Sequence, residues 1–259
     1  MGDRAVYCAR LESVCAERHP GFESPPIRHR LTIRQLTDFL AILGAGVFFS
    51  LSGSLGAAEQ KIATEPRIIK DARAEFRVGH FDKALALLDQ TGKGSANADV
   101  MDLRGLIYLE QSRFEEARKE FRAAAENNPA RFAPKLHLGD AFLREKKFIE
   151  ARDVYIDLIR ETNVQVSMEK ARYGLLLTYL FTQDDARAQS ALERIGFPTA
   201  SPAYYYAQGA WEFAHGHPGD AKEWLKAAGK MFDEESTAWF ARPLYSYGWL
   251  KGKPAPPAS

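Results

Sequence analysis

Residues 98–131 read ADVMDLRGLIYLEQSRFEEARKEFRAAAENNPAR and fall into two halves around a polar junction. In each half the apolar side chains are three or four residues apart, which is the spacing of one face of an α-helix. Ser112 and Arg113 form the junction, and two glutamates follow, where acidic side chains suit the positive end of a helix dipole. Pro129 marks the end of the second half. The stretch predicts a helix, a tight turn and a second helix.

The same pattern recurs along the chain at intervals of 33–35 residues. The interval is marked by five alanines, which are Ala84, Ala117, Ala151, Ala186 and Ala221. Four glycines keep the interval about one helix earlier, and they are Gly105, Gly139, Gly174 and Gly209. Two independent markers in one phase indicate stacked helical repeats rather than a single closed core.

The small residues of the repeat have a packing role. Two neighbouring helices pack about 8–10 Å apart, and the side chains at their crossing set that distance. Gly105 and Ala117 allow a close approach, and Tyr108, Phe114 and Phe121 fill the space beside them. Because one helix pair cannot bury its apolar side alone, each pair is expected to stack on the next.

These residues resemble the tetratricopeptide repeat (TPR) family. Residues 98–131 supply the small, aromatic and closing positions of that repeat in order, as Gly105, Tyr108, Phe114, Ala117, Phe121, Ala124 and Pro129. Residues 132–165 match nearly as well, with Asn163 in place of the closing proline. Weaker copies, as expected near the ends of a solenoid, cover residues 65–97, 167–200 and 202–235. The resemblance implies an all-α fold, namely a right-handed α-solenoid of about five helix-turn-helix repeats with a short C-terminal cap.

The chain divides into three parts on this interpretation. Residues 59–235 form the TPR-like solenoid. Residues 236–259 form an aromatic cap and a proline-rich tail, and we predict a short helix covering the last repeat. The alternative for the aromatic residues is an exposed docking strip, because a bare stack end exposes apolar surface that soluble proteins avoid unless they use it.

Residues 1–58 are predicted to be an N-terminal extension followed by a signal peptide or anchor. Residues 39–51 read FLAILGAGVFFSL, with arginines before them and small residues after them, which is the order of a secretory signal. Cleavage after Ala58 is one expectation, and an uncleaved membrane anchor over residues 39–58 or a buried core helix are the alternatives. Both membrane-directed interpretations place the repeats in the periplasm or cell envelope of a bacterium, and the uncleaved form would be anchored in the inner membrane.

Composition excludes several kinds of chemistry. The 35 basic and 34 acidic residues balance, which argues against a nucleic-acid binder. Both cysteines, Cys8 and Cys15, lie before the repeats, so no thiolate nucleophile or cysteine-based metal site is available within them. His215 and His217 are two residues apart, but no third ligand stands out by its spacing, so we interpret them as turn residues. We expect no catalytic set, no metal and no cofactor, and therefore no enzyme.

The resemblance implies that partners bind in a concave groove lined by the first helix of each pair. The candidate partner-binding residues are Asp102, Leu106, Leu109, Leu136, Asp140, Leu143, Tyr206 and Phe213. Some family members hold a peptide carboxylate with a lysine–asparagine clamp, but aspartate and leucine occupy those positions here. The groove is therefore predicted to be apolar with scattered acids, suited to an amphipathic helix or an extended apolar peptide.

Three successive tyrosines, Tyr204, Tyr205 and Tyr206, cannot share one helix face, because successive residues point about 100° apart. At least one should pack inside its pair, and Tyr206 is the candidate for the groove. The resulting hypothesis is a non-catalytic protein–protein interaction scaffold of the bacterial cell envelope with a protein or peptide partner. The alternatives are a membrane-anchored assembly factor and a structural protein that self-associates through its aromatic end.

Overall fold

The computed structural model describes residues 66–92 and 96–252, and all regular secondary structure in these ranges is α-helical. The predicted signal and most of the proline-rich tail lie outside the described residues. The helices are α1 (66–77), α2 (Phe81–Asp89), α3 (Ala98–Glu110), α4 (Phe114–Asn127), α5 (Phe132–Arg144), α6 (Phe148–Glu161), α7 (Gln165–Phe181), α8 (Asp185–Glu193), α9 (Ala203–Ala214), α10 (Pro218–Met231) and α11 (Glu234–Ser246). None of the helices searched in this part of the chain is long and apolar enough to cross a membrane.

The described helices form five consecutive pairs followed by α11, which confirms the predicted all-α solenoid. Within the pairs α3 packs on α4, α5 on α6, α7 on α8 and α9 on α10. Successive pairs also stack through their first helices, since α3 contacts α5, α5 contacts α7 and α7 contacts α9. Buried side chains of α1, α2 and α3 share one cluster around Phe76 and Leu88, so the first pair joins the same stack.

Each pair is joined by the same tight turn. In every turn the amide that follows the bend donates to a carbonyl five residues earlier, as from Arg113 to Tyr108 and from His217 to Glu212. This is the long hydrogen bond of a Schellman motif, which requires one residue with positive φ. Glycine supplies it in the first and last turns, and the three central turns use Ser112, Lys146 and Gln183 at φ of 56–65°.

The marker glycines stand where an aromatic ring or a leucine crosses the first helix. A Cβ on Gly105 would lie 2.5 Å from the Phe121 ring, and one on Gly139 would lie 2.7 Å from Tyr155. Gly174 meets the same Tyr155 ring from the following pair. The predicted reason for small residues at these positions is therefore confirmed, and it applies within pairs and between them.

One marker alanine was wrongly placed by the sequence pattern. Ala84, Ala117, Ala151 and Ala221 are fully buried, whereas Ala186 is exposed and the buried alanine of the fourth pair is Ala188. The reason is the first helix of that pair, since α7 has 17 residues where α3 and α5 have 13. The turn after α7 is displaced accordingly, so a constant interval selects the wrong alanine.

Candidate partner-binding surface

The first helices α1, α3, α5, α7 and α9 present one side of the stack, which we call the first-helix face. Helix α11 lies on this face. Its Trp239 Nε1 donates to Asp140 Oδ2 of α5 at 2.9 Å, and its Arg242 contacts Glu110 of α3 at 2.6 Å. Helix α11 therefore reaches helices that lie three and four pairs before it in the chain.

Apolar contacts fix α11 more firmly than these polar ones. Phe240 and Leu244 are fully buried. The Phe240 ring lies 5.3 Å from that of Tyr173 and 5.7 Å from that of Tyr206, centroid to centroid. Tyr173 also donates its hydroxyl to the Phe240 carbonyl at 2.9 Å. Burying an aromatic side chain of this kind is worth about 1.5–3 kcal/mol, so α11 is an integral part of the fold.

The aromatic C-terminal segment therefore does more than cover the last repeat. Helix α11 contacts α9 and α10 of the last pair, and its side chains continue across α7, α5 and α3. The alternative of an exposed aromatic strip is wrong, because Phe240 is fully buried and Trp239 is packed against the core. Just after α11, Trp249 stacks on Phe213 with ring centroids 5.8 Å apart.

Most of the predicted partner-binding residues lie under this C-terminal segment (residues 234–250). Leu109, Asp140 and Leu143 line a narrow cavity of about 40 Å³ that Trp239 and Arg242 close. Tyr206 is covered by Phe240 and Phe213 by Trp249. Tyr204 and Tyr205 pack instead around Trp224 of α10. Tyr206 lies on the first-helix face but is buried there against Phe240.

The remaining predicted residues are Asp102, Leu106 and Leu136. They line a wider cleft of about 410 Å³, which adjoins the narrow cavity and shares Leu106, His137 and Trp239 with it. We call it the open cleft. Its side chains come from α1, α3, α5 and α7 and from the residue before α5, with Trp239 as one wall. The apolar lining is Leu103, Leu106, Phe132, Ala133, Leu136 and Val166, and the polar lining is Arg73, Asp102, Arg131, His137, Ser167 and Lys170.

The predicted charge of this surface is wrong for the open cleft. The sequence pattern indicated scattered acids, but Asp102 is the one carboxylate in the lining and it faces three basic side chains. Arg73 and Arg131 were missed because they do not belong to the repeat positions of the first helices. They both contact the same carboxylate oxygen of Asp99, at 3.3 and 2.6 Å.

Asp102 is not available as a free acid in the cleft. Its Oδ1 is 2.8 Å from His137 Nδ1, and both side chains are largely buried. Burial by itself lowers the pKa of His137, but the charge of Asp102 and the hydrogen bond to it, helped by Asp140, outweigh burial and raise that pKa overall. The pair thus favours a charged imidazole at the floor of the cleft.

Two further ionisable groups connect the open cleft to the part under α11. Burial raises the pKa of Asp140, against the opposing influence of His137 and of hydrogen bonds from Tyr155 and Trp239. Burial lowers the pKa of Lys170, whose ammonium lies 5.6 Å from the centre of the Trp239 ring. Neither group belongs to a nucleophile–base arrangement, and both are explained by packing beside α11.

A small cluster in the last turn was missed by the sequence analysis. Glu212, His217 and Asp220 offer ligand atoms within 4.8 Å of one another. The first pair has the same brace, with His80 Nδ1 2.7 Å from Glu75 Oε2 as His217 Nδ1 is 2.9 Å from Glu212 Oε2. The first pair has Lys83 three residues after His80, where the last pair has Asp220 three residues after His217. Because the brace occurs in both turns, we interpret both histidines as residues that tie a turn to the preceding helix.

The comparison with known families agrees with this architecture. Residues 103–163 match the family model described as tetratricopeptide repeat, which spans most of α3 and all of α4, α5 and α6. Residues 103–163 are thus tetratricopeptide repeats, and proteins with such repeats commonly bind protein partners. No curated protein matches the chain.

Among solved structures the chain is similar to MamA AMB-1, at 14% identity and a TM-score of 0.46, over 63% of this chain and 96% of that one. It is also similar to MamA MSR-1, at 14% identity and a TM-score of 0.45, over 66% of this chain and 95% of that one. At this identity and these TM-scores the likeness says nothing about function.

Proposed function

We propose that this chain is a non-catalytic scaffold that binds a segment of a partner protein in the open cleft. The observation that carries the proposal is the division of the first-helix face. Beside α11 the face encloses only a narrow cavity of about 40 Å³ at Leu109, Asp140 and Leu143, and it widens to a cleft of about 410 Å³ at Asp102, Leu106 and Leu136. An apolar floor with a polar rim is the usual composition of a binding site, and rigid helices lower the ordering cost of binding.

The assignment as a scaffold rather than an enzyme rests on the polar groups of the cleft. Asp102 is held by His137, and two arginines share Asp99. General acid–base catalysis needs a group that can exchange a proton with a bound substrate, and these groups are engaged with one another. Self-association through the aromatic end is disfavoured, because Phe240 and Leu244 are buried within the chain.

A cleft-filling substitution tests the proposal. Ala133 is half-buried in the open cleft, and Ala186 is an exposed alanine on the second helix of another pair. The full chain and its Ala133→Trp and Ala186→Trp variants would be used for affinity capture from native cells. A prey that wild type and Ala186→Trp retain and Ala133→Trp loses would support binding in the cleft, and equal capture by all three would contradict it.

We also propose that the repeats act in the bacterial cell envelope. The support is the order of charge, apolar run and small residues in 1–58. The test is the mass and fractionation of the expressed protein. A mature chain beginning at Glu59 in the soluble periplasmic fraction would indicate a cleaved signal. Retention of residues 39–58 in carbonate-washed membranes would indicate an anchor, and an intact cytosolic protein would overturn the proposal.

A further inference from the structure

The charged groups of the covered part are paired within the chain. Glu110 accepts from Arg144 of α5 and from Arg242 of α11, and Asp140 accepts from Tyr155 and from the Trp239 indole N–H. The open cleft is lined by three basic side chains, Arg73, Arg131 and Lys170. A helix with a basic side chain thus completes the ion pairs of the covered part, and the open cleft has basic groups of its own for a partner to meet.

The basic groups of the open cleft are incompletely neutralised. Arg73 and Arg131 share the single carboxylate of Asp99. Among the described residues no carboxylate oxygen lies within 4.0 Å of the Lys170 ammonium. Asp102 is committed to His137. The cleft therefore has an excess of positive charge around an apolar floor, and charge complementarity across an interface selects partners of opposite sign.

The form of the occupant follows from α11. Its apolar side chains Phe240 and Leu244 are buried against the first helices, while Arg242 at its edge meets a carboxylate. The same face accepts a helix by an apolar stripe with charge at the margin, which is the helix-in-groove mode of recognition. At the mouth of the open cleft Val166 is 39% exposed, which leaves apolar surface for such a stripe to cover.

We propose that the open cleft binds an acidic amphipathic helix of a partner protein. Its apolar stripe would pack on Leu106, Phe132 and Val166, which line the cleft and are not fully buried. Its carboxylates would approach Lys170 and the guanidiniums of Arg73 and Arg131. This inference rests on the proposed function, because it names the kind of segment that occupies the same cleft.

Three synthetic peptides test the inference directly. Each has the length of α11, 13 residues, and the same leucine stripe, with Glu, Gln or Lys at the polar positions. Binding to the full chain is measured by fluorescence anisotropy at low salt. The Glu peptide should bind at least about tenfold more tightly than the Lys peptide, and raising the salt concentration should weaken it, because exposed charges are screened. Lys170→Glu should weaken the Glu peptide about tenfold and strengthen the Lys peptide.

The control variants separate the two ideas. Ala133→Trp should abolish binding of the Glu peptide, and Ala186→Trp should not change it. Gln or Lys peptides that bind as tightly as the Glu peptide, and are blocked by Ala133→Trp, would overturn the acidic helix but support the cleft. If no peptide binds but Ala133→Trp still loses the cellular prey, the acidic helix is also overturned and the cleft is also supported. A cellular prey that is indifferent to Ala133→Trp would overturn the proposed function.

Sedimentation velocity distinguishes a second copy of the chain as the occupant. We expect wild type to sediment as a monomer at concentrations where the Glu peptide binds. Self-association that Ala133→Trp removes and Ala186→Trp preserves would overturn the inference, since the occupant would then be this chain itself.

Discussion

The covered and open parts of the first-helix face share their helices but differ in what fills them. Under α11 the carboxylate of Asp140 accepts hydrogen bonds from Tyr155 and Trp239, at 2.7 and 2.9 Å, and the apolar contacts are made by the chain itself. In the open cleft Asp102 pairs with His137 and two arginines share Asp99, and the chain leaves a volume of about 410 Å³ beside Leu106 and Leu136. The difference shows that a repeat surface need not be available to partners along its whole length.

The largest expected effect is on the covered part. Phe240→Ala removes a fully buried ring from between Tyr173 and Tyr206, and such truncations cost about 3–5 kcal/mol of unfolding free energy. Urea denaturation followed by circular dichroism would measure it. Phe197, which is 68% exposed, supplies the matched control, and Phe197→Ala should change stability by less than about 0.5 kcal/mol. Equal small losses would mean that α11 is not packed as described.

The second prediction tests how α8 packs against α7, one of the helices on which α11 lies. Ala188→Leu adds atoms at a fully buried site and should cost about 1–3 kcal/mol through overpacking. Ala186→Leu, two residues away on the exposed side, should lie within about 0.5 kcal/mol of wild type. Thermal or urea unfolding of both variants measures the two losses of stability. A larger loss for Ala186→Leu would mean that Ala186 is the buried alanine, as the constant repeat interval indicates.

The ion pair at the floor of the open cleft predicts a pH dependence. The pKa of His137 is raised in the folded chain above its ordinary value of 6.5. Its contribution to stability is therefore fully present below pH 6.5 and is lost as the pH rises through the folded pKa. Besides Asp102, the groups that face His137 are Asp140 on α5 and Lys170 on α7.

The measurement is the unfolding free energy of wild type and His137→Gln between pH 5.5 and 8.5. Wild type should lose more stability than the variant as the pH rises over this range. Asp102→Asn should remove most of the same difference, because the carboxylate is what raises the pKa. Parallel pH profiles for wild type and His137→Gln would show that the pair does not form.

The smallest effect is expected in the open cleft. Ala133→Trp projects into uncovered space, so its unfolding free energy should stay within about 0.5 kcal/mol of wild type, as for ordinary surface substitutions. A denaturation curve of this variant checks the point and also validates it as a binding probe. A loss of several kcal/mol would indicate that the cleft is closed and that the comparison between the two parts fails.

The repeat architecture could be predicted because it depends on contacts close in sequence. Gly105 lies 16 residues before Phe121, and the ring that needs the glycine belongs to the same pair. The junction at Ser112 could be located, but the positive φ of Ser112, Lys146 and Gln183 could not be predicted, because that conformation is typical of glycine. The error at Ala186 has a similar local origin, because a longer α7 displaces the turn without erasing the apolar pattern.

The position of α11 could not be predicted in this way. Trp239 and Asp140 are 99 residues apart, and Arg242 and Glu110 are 132 residues apart. No periodicity links such positions, and the cap that the aromatic segment predicted covers the last repeat alone. The candidate residues lie on the first-helix face, but how far each is covered depends on contacts that only the folded chain reveals.

The most direct test of the divided face is a double-mutant cycle between α11 and α5. Trp239→Phe, Asp140→Ala and the combined variant would be compared with wild type in urea denaturation. Docking of α11 predicts a coupling energy of at least about 0.5 kcal/mol between these two positions, as found for residues in contact. Strictly additive effects would contradict the account, because they would mean that α11 does not lie on the first-helix face and that the whole face is open.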